Sequence, residues 1–118
     1  MSRSRRTRLT DSPEFERVYR QGTAYRGKLF SVHAFPNEHG IPRLGLSVSR
    51  KVGNAVTRNV VRRRLREVFH SCISEISGSL DLVVSARPAA AEATFKELKE
   101  EFRKSLGKVD APVERRSV

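Results

Sequence analysis

The feature that most constrains the fold is an apolar stripe with helical spacing in the middle of the chain. It starts at Val61 and continues through Leu65, Val68, Phe69, Cys72, Ile73 and Ile76. These positions recur at the 3.6-residue period of a helix that buries one face. The pattern predicts a helix that begins near Thr57 and ends at Gly78. A helix of this kind needs another layer of structure against its apolar face.

Two further helices are expected, one on each side of this segment. Ser12 and Pro13 suit the cap and first position of a short helix that ends at Gln21-Gly22. A last helix is predicted over 90–108 and ends at Gly107. Its core face is predicted to consist of Phe95, Leu98, Phe102 and Leu106.

Strand patterns fill the intervals between the helices. Alternation predicts strands at 28–36 and 43–50, joined as a hairpin, and the aliphatic segment 80–86 reads as a strand buried on both faces. The pattern leaves open one more strand near 22–27. The element order predicts an α+β or α/β sandwich, with helices packed on a small mixed sheet.

The net charge of the chain limits the classes of molecule that it is expected to bind. The 118 residues include 24 Lys and Arg against 13 Asp and Glu, a net charge of +11. Such a chain attracts polyanions, with nucleic acid first and an anionic membrane surface second. No apolar run approaches the roughly 18 residues of a membrane span, and no apolar segment follows the N-terminal arginines as in a secretory signal. The single cysteine fits a reducing compartment, and we expect the cytoplasm.

The sequence indicates one domain with two short extensions. Residues 1–10 carry four arginines and no acid, which predicts a flexible basic arm. Residues 11–108 are expected to form a single RNA-binding domain, and 109–118 a frayed C-terminal tail.

The basic residues are concentrated at the start of the central helix. Residues 50–66 contain seven basic side chains and no acid. On a helical projection, Asn59, Arg62, Arg63 and Arg66 form one flank beside the apolar stripe, whereas Arg64 lies apart. Like charges at i, i+4 spacing destabilise an isolated helix, and cations near its N-terminus oppose the dipole. Phosphates would neutralise this flank, so the pattern favours polyanion binding over a merely solvated face.

Protein-based catalysis is not indicated. One cysteine and three scattered histidines match no usual zinc spacing. Cys72 lies on the apolar stripe as a small core residue, and no phosphate-binding loop of the G-x-x-x-x-G-K type is present. We therefore predict no catalytic residue and no metal ligand in the protein.

The segment 45–67, GLSVSRKVGNAVTRNVVRRRLRE, resembles the signature of the bacterial ribonuclease P protein subunit. The shared features are a strand that ends in Ser-Arg-Lys, a Gly-Asn-Ala turn, and an Arg-Asn pair that opens an arginine-rich helix. Weaker similarity extends from Glu14–Tyr19 to Ala86–Pro88.

The resemblance implies a fold and a role. The implied fold has a four-stranded sheet, three helices and a left-handed β-α-β crossover, and is related to a domain of a small-subunit ribosomal protein. The implied role is to bind a catalytic RNA and the single-stranded 5′ leader of precursor tRNA while that RNA, with Mg²⁺ held mainly by RNA and substrate, cleaves the leader. The implied partners are these two RNAs, with no membrane and no required protein partner.

The resemblance also assigns residues. It implies that the catalytic RNA contacts Arg50, Lys51, Asn54, Arg58, Asn59, Arg62, Arg63 and Arg66. It implies a leader cleft lined by Phe15, Tyr19, Phe30 and His33. His33 and Val60 stand where relatives can carry Tyr and a basic residue. A structural ribosomal or general RNA-binding protein and a DNA-binding module remain as alternatives.

Overall fold

The computed structural model describes residues 8–9, 12–76 and 78–117. Within them the helices are α1 (Ser12–Gln21), α2 (Ala55–Ser71) and α3 (Phe95–Ser117), and the strands are β1 (Thr23–Arg26), β2 (Phe30–Pro36), β3 (Arg43–Ser47) and β4 (Leu80–Ala86). Short 3-10 helices occupy Arg50–Val52, Ile73–Glu75 and Pro88–Glu92. The predicted α+β class is confirmed, and the strand left open near 22–27 is present as β1.

The four strands form one mixed sheet in the order β1-β2-β4-β3. β2 is antiparallel to both β1 and β4, whereas β3 is parallel to β4. The predicted hairpin of 28–36 with 43–50 is therefore wrong, because β4 lies between these strands. Leu80–Val84 of β4 are all buried, and a strand that is apolar on both faces belongs in the centre of a sheet.

Each face of the sheet has its own apolar core. On one face, α2 and α3 cover a large cluster to which β2 and β4 contribute Phe30, Val32 and Leu82. On the other face, a small cluster consists of Leu9, Val18 and Val83, with Phe15 and Phe35 packed against it. Since Phe15 and Val18 belong to α1, this helix lies alone on its side of the sheet.

The boundaries of α3 differ from the prediction at both ends. The Thr94 hydroxyl accepts a hydrogen bond from the Glu97 amide (3.1 Å), and the Glu97 carboxylate accepts one from the Thr94 amide (2.9 Å). This capping box starts the helix at Phe95, which is 39% exposed and not part of the core. Val109 is fully buried and extends the apolar stripe past Gly107. The helix continues to Ser117, so the predicted end of the helix at Gly107 is wrong.

The helix α2 is shorter than predicted. It ends at Ser71, and the chain then tightens into a 3-10 turn that keeps Cys72 and Ile76 buried. The stripe that predicted one helix up to Gly78 thus spans two elements that share one buried side.

The prediction that residues 1–10 form a flexible arm is wrong at Leu9, which is part of the core. Residues 1–7 and 10 lie outside the described part of the chain. Arg8 forms a parallel bridge with Leu44, and the Leu9 amide donates to the Leu44 carbonyl at 2.8 Å. Leu9 is 2% exposed. The short segment covers the open edge of β3, and the domain therefore begins before residue 11.

Within residues 8–9, 12–76 and 78–117, no helix has both the length and the apolar character needed to cross a membrane.

Candidate nucleic-acid interface

A short capped turn delivers the chain from β3 to the arginine-rich helix. The Ser49 side chain accepts a hydrogen bond from the Lys51 amide (3.3 Å) and starts the 3-10 turn that holds Arg50 and Lys51 exposed. Gly53 has φ 155°, and a Cβ there would lie 2.9 Å from the Thr57 side chain. Only glycine fits this corner without strain.

Asn54, predicted to bind RNA, is the N-cap of α2. Its side-chain oxygen accepts a hydrogen bond from the Thr57 amide at 2.9 Å. This satisfies one of the free donors at the helix start, which explains why α2 begins at Ala55 rather than at Thr57. The cap fixes where α2 begins and therefore the positions of the first arginines along the helix.

The predicted flank is present on α2 as a mixture of exposed and half-buried side chains. Asn59 and Arg63 are exposed, and Arg58, Arg62 and Arg66 are half-buried. Arg62 donates to the Asn59 side-chain oxygen at 3.0 Å. The Nε of Arg58 is buried and has no hydrogen-bond partner among the described residues.

Arg64 is separate from this flank, as the helical projection predicts. Its guanidinium donates to the carbonyl of Ala93 at 3.1 Å. It therefore ties α2 to the 3-10 turn before α3, whereas the one hydrogen bond of Arg62 among the described residues stays within α2.

Two flank arginines open onto a groove beside β3. The groove has a volume of about 270 Å³, and the charged side chains in its described lining are Arg8, Arg62 and Arg66, with no carboxylate among them. Burial, followed by the charges of Arg8 and Arg62, lowers the pKa of Arg66. Three cations around one groove repel each other, so an anion bound between them would be stabilised.

The floor of this groove is aromatic. The ring of Phe15 lies on the backbone of Gly45, where an added Cβ would come within 2.7 Å of the Phe15 Cε2. Because Gly45 has no side chain, the ring can approach the strand this closely. A half-buried ring next to guanidinium groups is a surface on which a nucleobase can stack.

Farther along the same face of the sheet, Tyr19 covers His33. Their ring centroids are 4.5 Å apart, with an interplanar angle of 34°. Tyr19 is 52% exposed, and His33 is 8% exposed. Burial, followed by the charge of Arg26, lowers the pKa of His33, so the imidazole is neutral at pH 7. Its Nδ1 is buried without a hydrogen-bond partner among the described residues.

The assignment of Phe30 to this cleft is wrong. Phe30 is fully buried among the residues under α2 and α3, on the opposite face of the sheet. The alternation of β2 explains this, because Phe30 and His33 are an odd number of residues apart and point to opposite faces. Phe35, which the prediction missed, shares the face of His33 and packs against the same small cluster as Phe15.

A buried polar network at the end of α1 was also missed. Arg43 donates to both carboxylate oxygens of Asp81, at 2.8 and 2.7 Å, and its NH2 group lies 3.1 Å from Glu14. Asn37 donates to Asp81 at 2.6 Å. Hydrogen bonding to Asp81 is the main cause that raises the pKa of Arg43. The acid within an aliphatic strand was the only sequence signal of this network.

Among the described residues, no three His, Cys, Asp or Glu side chains are grouped so that they could hold a metal ion. Cys72 is fully buried in the large core, as predicted.

Comparison with known proteins agrees with the motif in 45–67. Residues 3–110 match the family described as Ribonuclease P. The chain belongs to the ribonuclease P protein family. Among its relatives is the ribonuclease P protein component of Halalkalibacterium halodurans, 42% identical over 93 residues, which cover 78% of each chain. The proposed resemblance is thus confirmed.

Solved structures of ribonuclease P proteins share the fold. A mutant of the Staphylococcus aureus protein, described as defective in mRNA degradation, matches with a TM-score of 0.81 and 33% identity over 90% of each chain. The protein from Thermotoga maritima matches with a TM-score of 0.76 and 29% identity over 84% of this chain and 94% of that one. The chain is therefore the protein part of an endoribonuclease that processes the 5′ ends of tRNA.

Proposed function

We propose that this ribonuclease P protein uses two adjacent surfaces for two RNAs. The flank of α2 and the turn before it bind the catalytic RNA through Arg50, Lys51, Asn54, Arg58, Asn59, Arg62, Arg63 and Arg66. The cleft between α1 and the sheet binds the single-stranded 5′ leader of precursor tRNA through Phe15, Tyr19 and His33, with Phe35 beside them. The protein acts in the bacterial cytoplasm. Apart from the two RNAs, it needs no protein partner for this step.

The observation that carries this proposal is the groove between α1 and α2. It combines three guanidinium groups with a half-buried phenyl ring, and its lining contains no carboxylate among the described residues. Guanidinium groups bind phosphate through two parallel hydrogen bonds, and aromatic rings stack on unpaired bases. A single-stranded RNA offers both groups at each nucleotide, whereas the bases of a duplex are already stacked.

The described residues favour a catalyst made of RNA. We propose that Mg²⁺ is held by the RNA subunit and the substrate, because no three metal-ligating side chains of the described residues are grouped to hold an ion and several carboxylates are paired with arginines. Asp81 and Glu14 contact Arg43, and Glu75 contacts Arg103. The protein then contributes binding and orientation, which improve substrate affinity and the use of metal by the RNA.

Reconstitution tests this proposal. The protein is mixed with the catalytic RNA of its own source and a precursor tRNA at low Mg²⁺, and the release of the leader is followed with and without protein. We expect cleavage only when protein and RNA are both present. Binding of RNA without any stimulation of cleavage would instead indicate a general RNA-binding protein.

A further inference from the structure

The helix α1 is attached to the sheet at its two ends by different means. At its C-terminal end, Gly22 lies against the backbone of β2, where a Cβ would clash with the Ala34 carbonyl oxygen. At its N-terminal end, Glu14 forms an ion pair with Arg43. Between the ends, Val18 is the one α1 side chain that is fully buried among those described. Phe15 is half-buried against Gly45, and the exposed Tyr19 lies on His33. With one fully buried side chain on the described part of the helix, the charged contact at the N-terminal end contributes to holding the tilt of α1.

The attachment at the N-terminal end is anchored where β3 and β4 begin. Arg43 and Asp81 are direct partners in the register of β3 with β4. Their side chains are 12% and 6% exposed and form a two-bonded pair, so the guanidinium has a fixed position. The same NH2 group that binds Asp81 at 2.7 Å binds Glu14 at 3.1 Å. Glu14 therefore meets a rigid cation rather than a mobile surface arginine.

The loop after β2 holds the Asp81 carboxylate that binds Arg43. The Asn37 side-chain amide donates to Asp81 at 2.6 Å and to the Ile41 carbonyl at 3.2 Å. His39 lies 3.8 Å from Glu14 and is about half exposed, so it adds attraction only when protonated. The network thus joins α1 to β3, β4 and the loop between β2 and β3.

Glu14 directly precedes Phe15, the residue whose ring lies on Gly45. We propose that Glu14 is a positioning residue for leader binding, an inference that rests on the proposed leader cleft. Through Arg43 it sets the tilt of α1 over the sheet and so the width of the cleft between Phe15 and Tyr19 on the helix and the strands below. It touches neither the leader nor the catalytic RNA in this proposal.

The chain offers a matched control on the same helix. Glu16 is two residues away and pairs only loosely with Arg20 at 3.8 Å, with both side chains at least 70% exposed. Glu14→Ala and Glu16→Ala therefore remove the same charge from the same helix, but only the first releases α1 from the sheet. Glu14→Gln keeps the size and one oxygen that can accept from Arg43.

The test uses the reconstituted holoenzyme and two precursor tRNAs, one with a long single-stranded leader and one with a single leader nucleotide. For Glu14→Ala we expect KM for the long-leader substrate to rise about threefold to tenfold, and KM for the short-leader substrate, kcat and affinity for the catalytic RNA to stay within about twofold. Glu14→Gln should recover part of the loss, and Glu16→Ala should match the unaltered protein. Thermal unfolding of each variant verifies that it folds.

The outcomes separate this inference from the proposed function. Equal KM values for the two substrates with the unaltered protein would reject the leader cleft itself. A leader preference that Glu14→Ala leaves unchanged would reject the positioning role only. An equal rise in KM on both substrates would also reject the positioning role. Such a rise would indicate a general structural defect, whose effect does not depend on leader length.

Discussion

Arg62 and Arg64 lie two positions apart on α2. Replacing Arg62 with alanine is expected to weaken RNA binding, whereas replacing Arg64 is expected to lower the stability of the protein. Arg62 lines the basic groove and has only the exposed Asn59 as a hydrogen-bond partner in the described structure. Arg64 donates to the Ala93 carbonyl. Both are half-buried arginines of one helix, so each serves as the control for the other.

The expected magnitude for Arg62→Ala follows from counterion release. Losing one phosphate contact lowers the slope of log affinity against log salt by about 0.9. Between 50 and 200 mM salt, the deficit of the variant in RNA affinity should therefore shrink about threefold to fourfold. Arg64→Ala should leave the slope unchanged and lower the free energy of unfolding by about 1 kcal/mol, the typical contribution of one hydrogen bond.

Two assays give the comparison. Fluorescence anisotropy of labelled catalytic RNA over a salt series measures the slope, and urea denaturation of the free protein measures stability. The reasoning is refuted if Arg62→Ala keeps the original slope, or if both variants reduce the slope equally, since the contact of Arg64 with Ala93 would then not exclude it from the RNA.

Three further outcomes are expected. Gly45→Ala forces the Phe15 ring away and should weaken binding of long-leader substrate several-fold while sparing affinity for the catalytic RNA. Because burial and Arg26 lower the pKa of His33 below 6.5, its contribution to stability is complete above that pH and declines as pH falls toward the lowered value. His33→Gln should flatten this acid-side decline in urea titrations. Phe102→Ala, at a position 2% exposed, should cost about 3–5 kcal/mol of unfolding free energy.

Local patterns predicted the elements and their faces well. The apolar stripe of α2, the alternation of β3 and the separate position of Arg64 are all properties of one segment at a time, and the structure reproduces them. The error on Phe30 came from carrying over a resemblance against this alternation. On the strand pattern itself, Phe30 shares a face with Val32 and Ala34 rather than with His33.

Such local patterns do not predict which distant segments pair with each other. The short loop between β2 and β3 favoured a hairpin, and nothing within either strand signals that β4 separates them. The ion pair of Arg43 with Asp81 depends on the same register, since the two residues become neighbours only when β3 lies parallel to β4. The end of α3 depends on a distant contact too, because Gly107 is a local signal for a helix end whereas the burial of Val109 arises only in the folded core.

The central position of β4 has a consequence for how the protein is made. β1 and β2 are adjacent in the chain and can pair as soon as both have emerged from the ribosome. β3 must wait until α2 and then β4 have been synthesised, because parallel strands pair only across such a crossover. Folding therefore depends on distant contacts and is expected to be slow for a chain of this size.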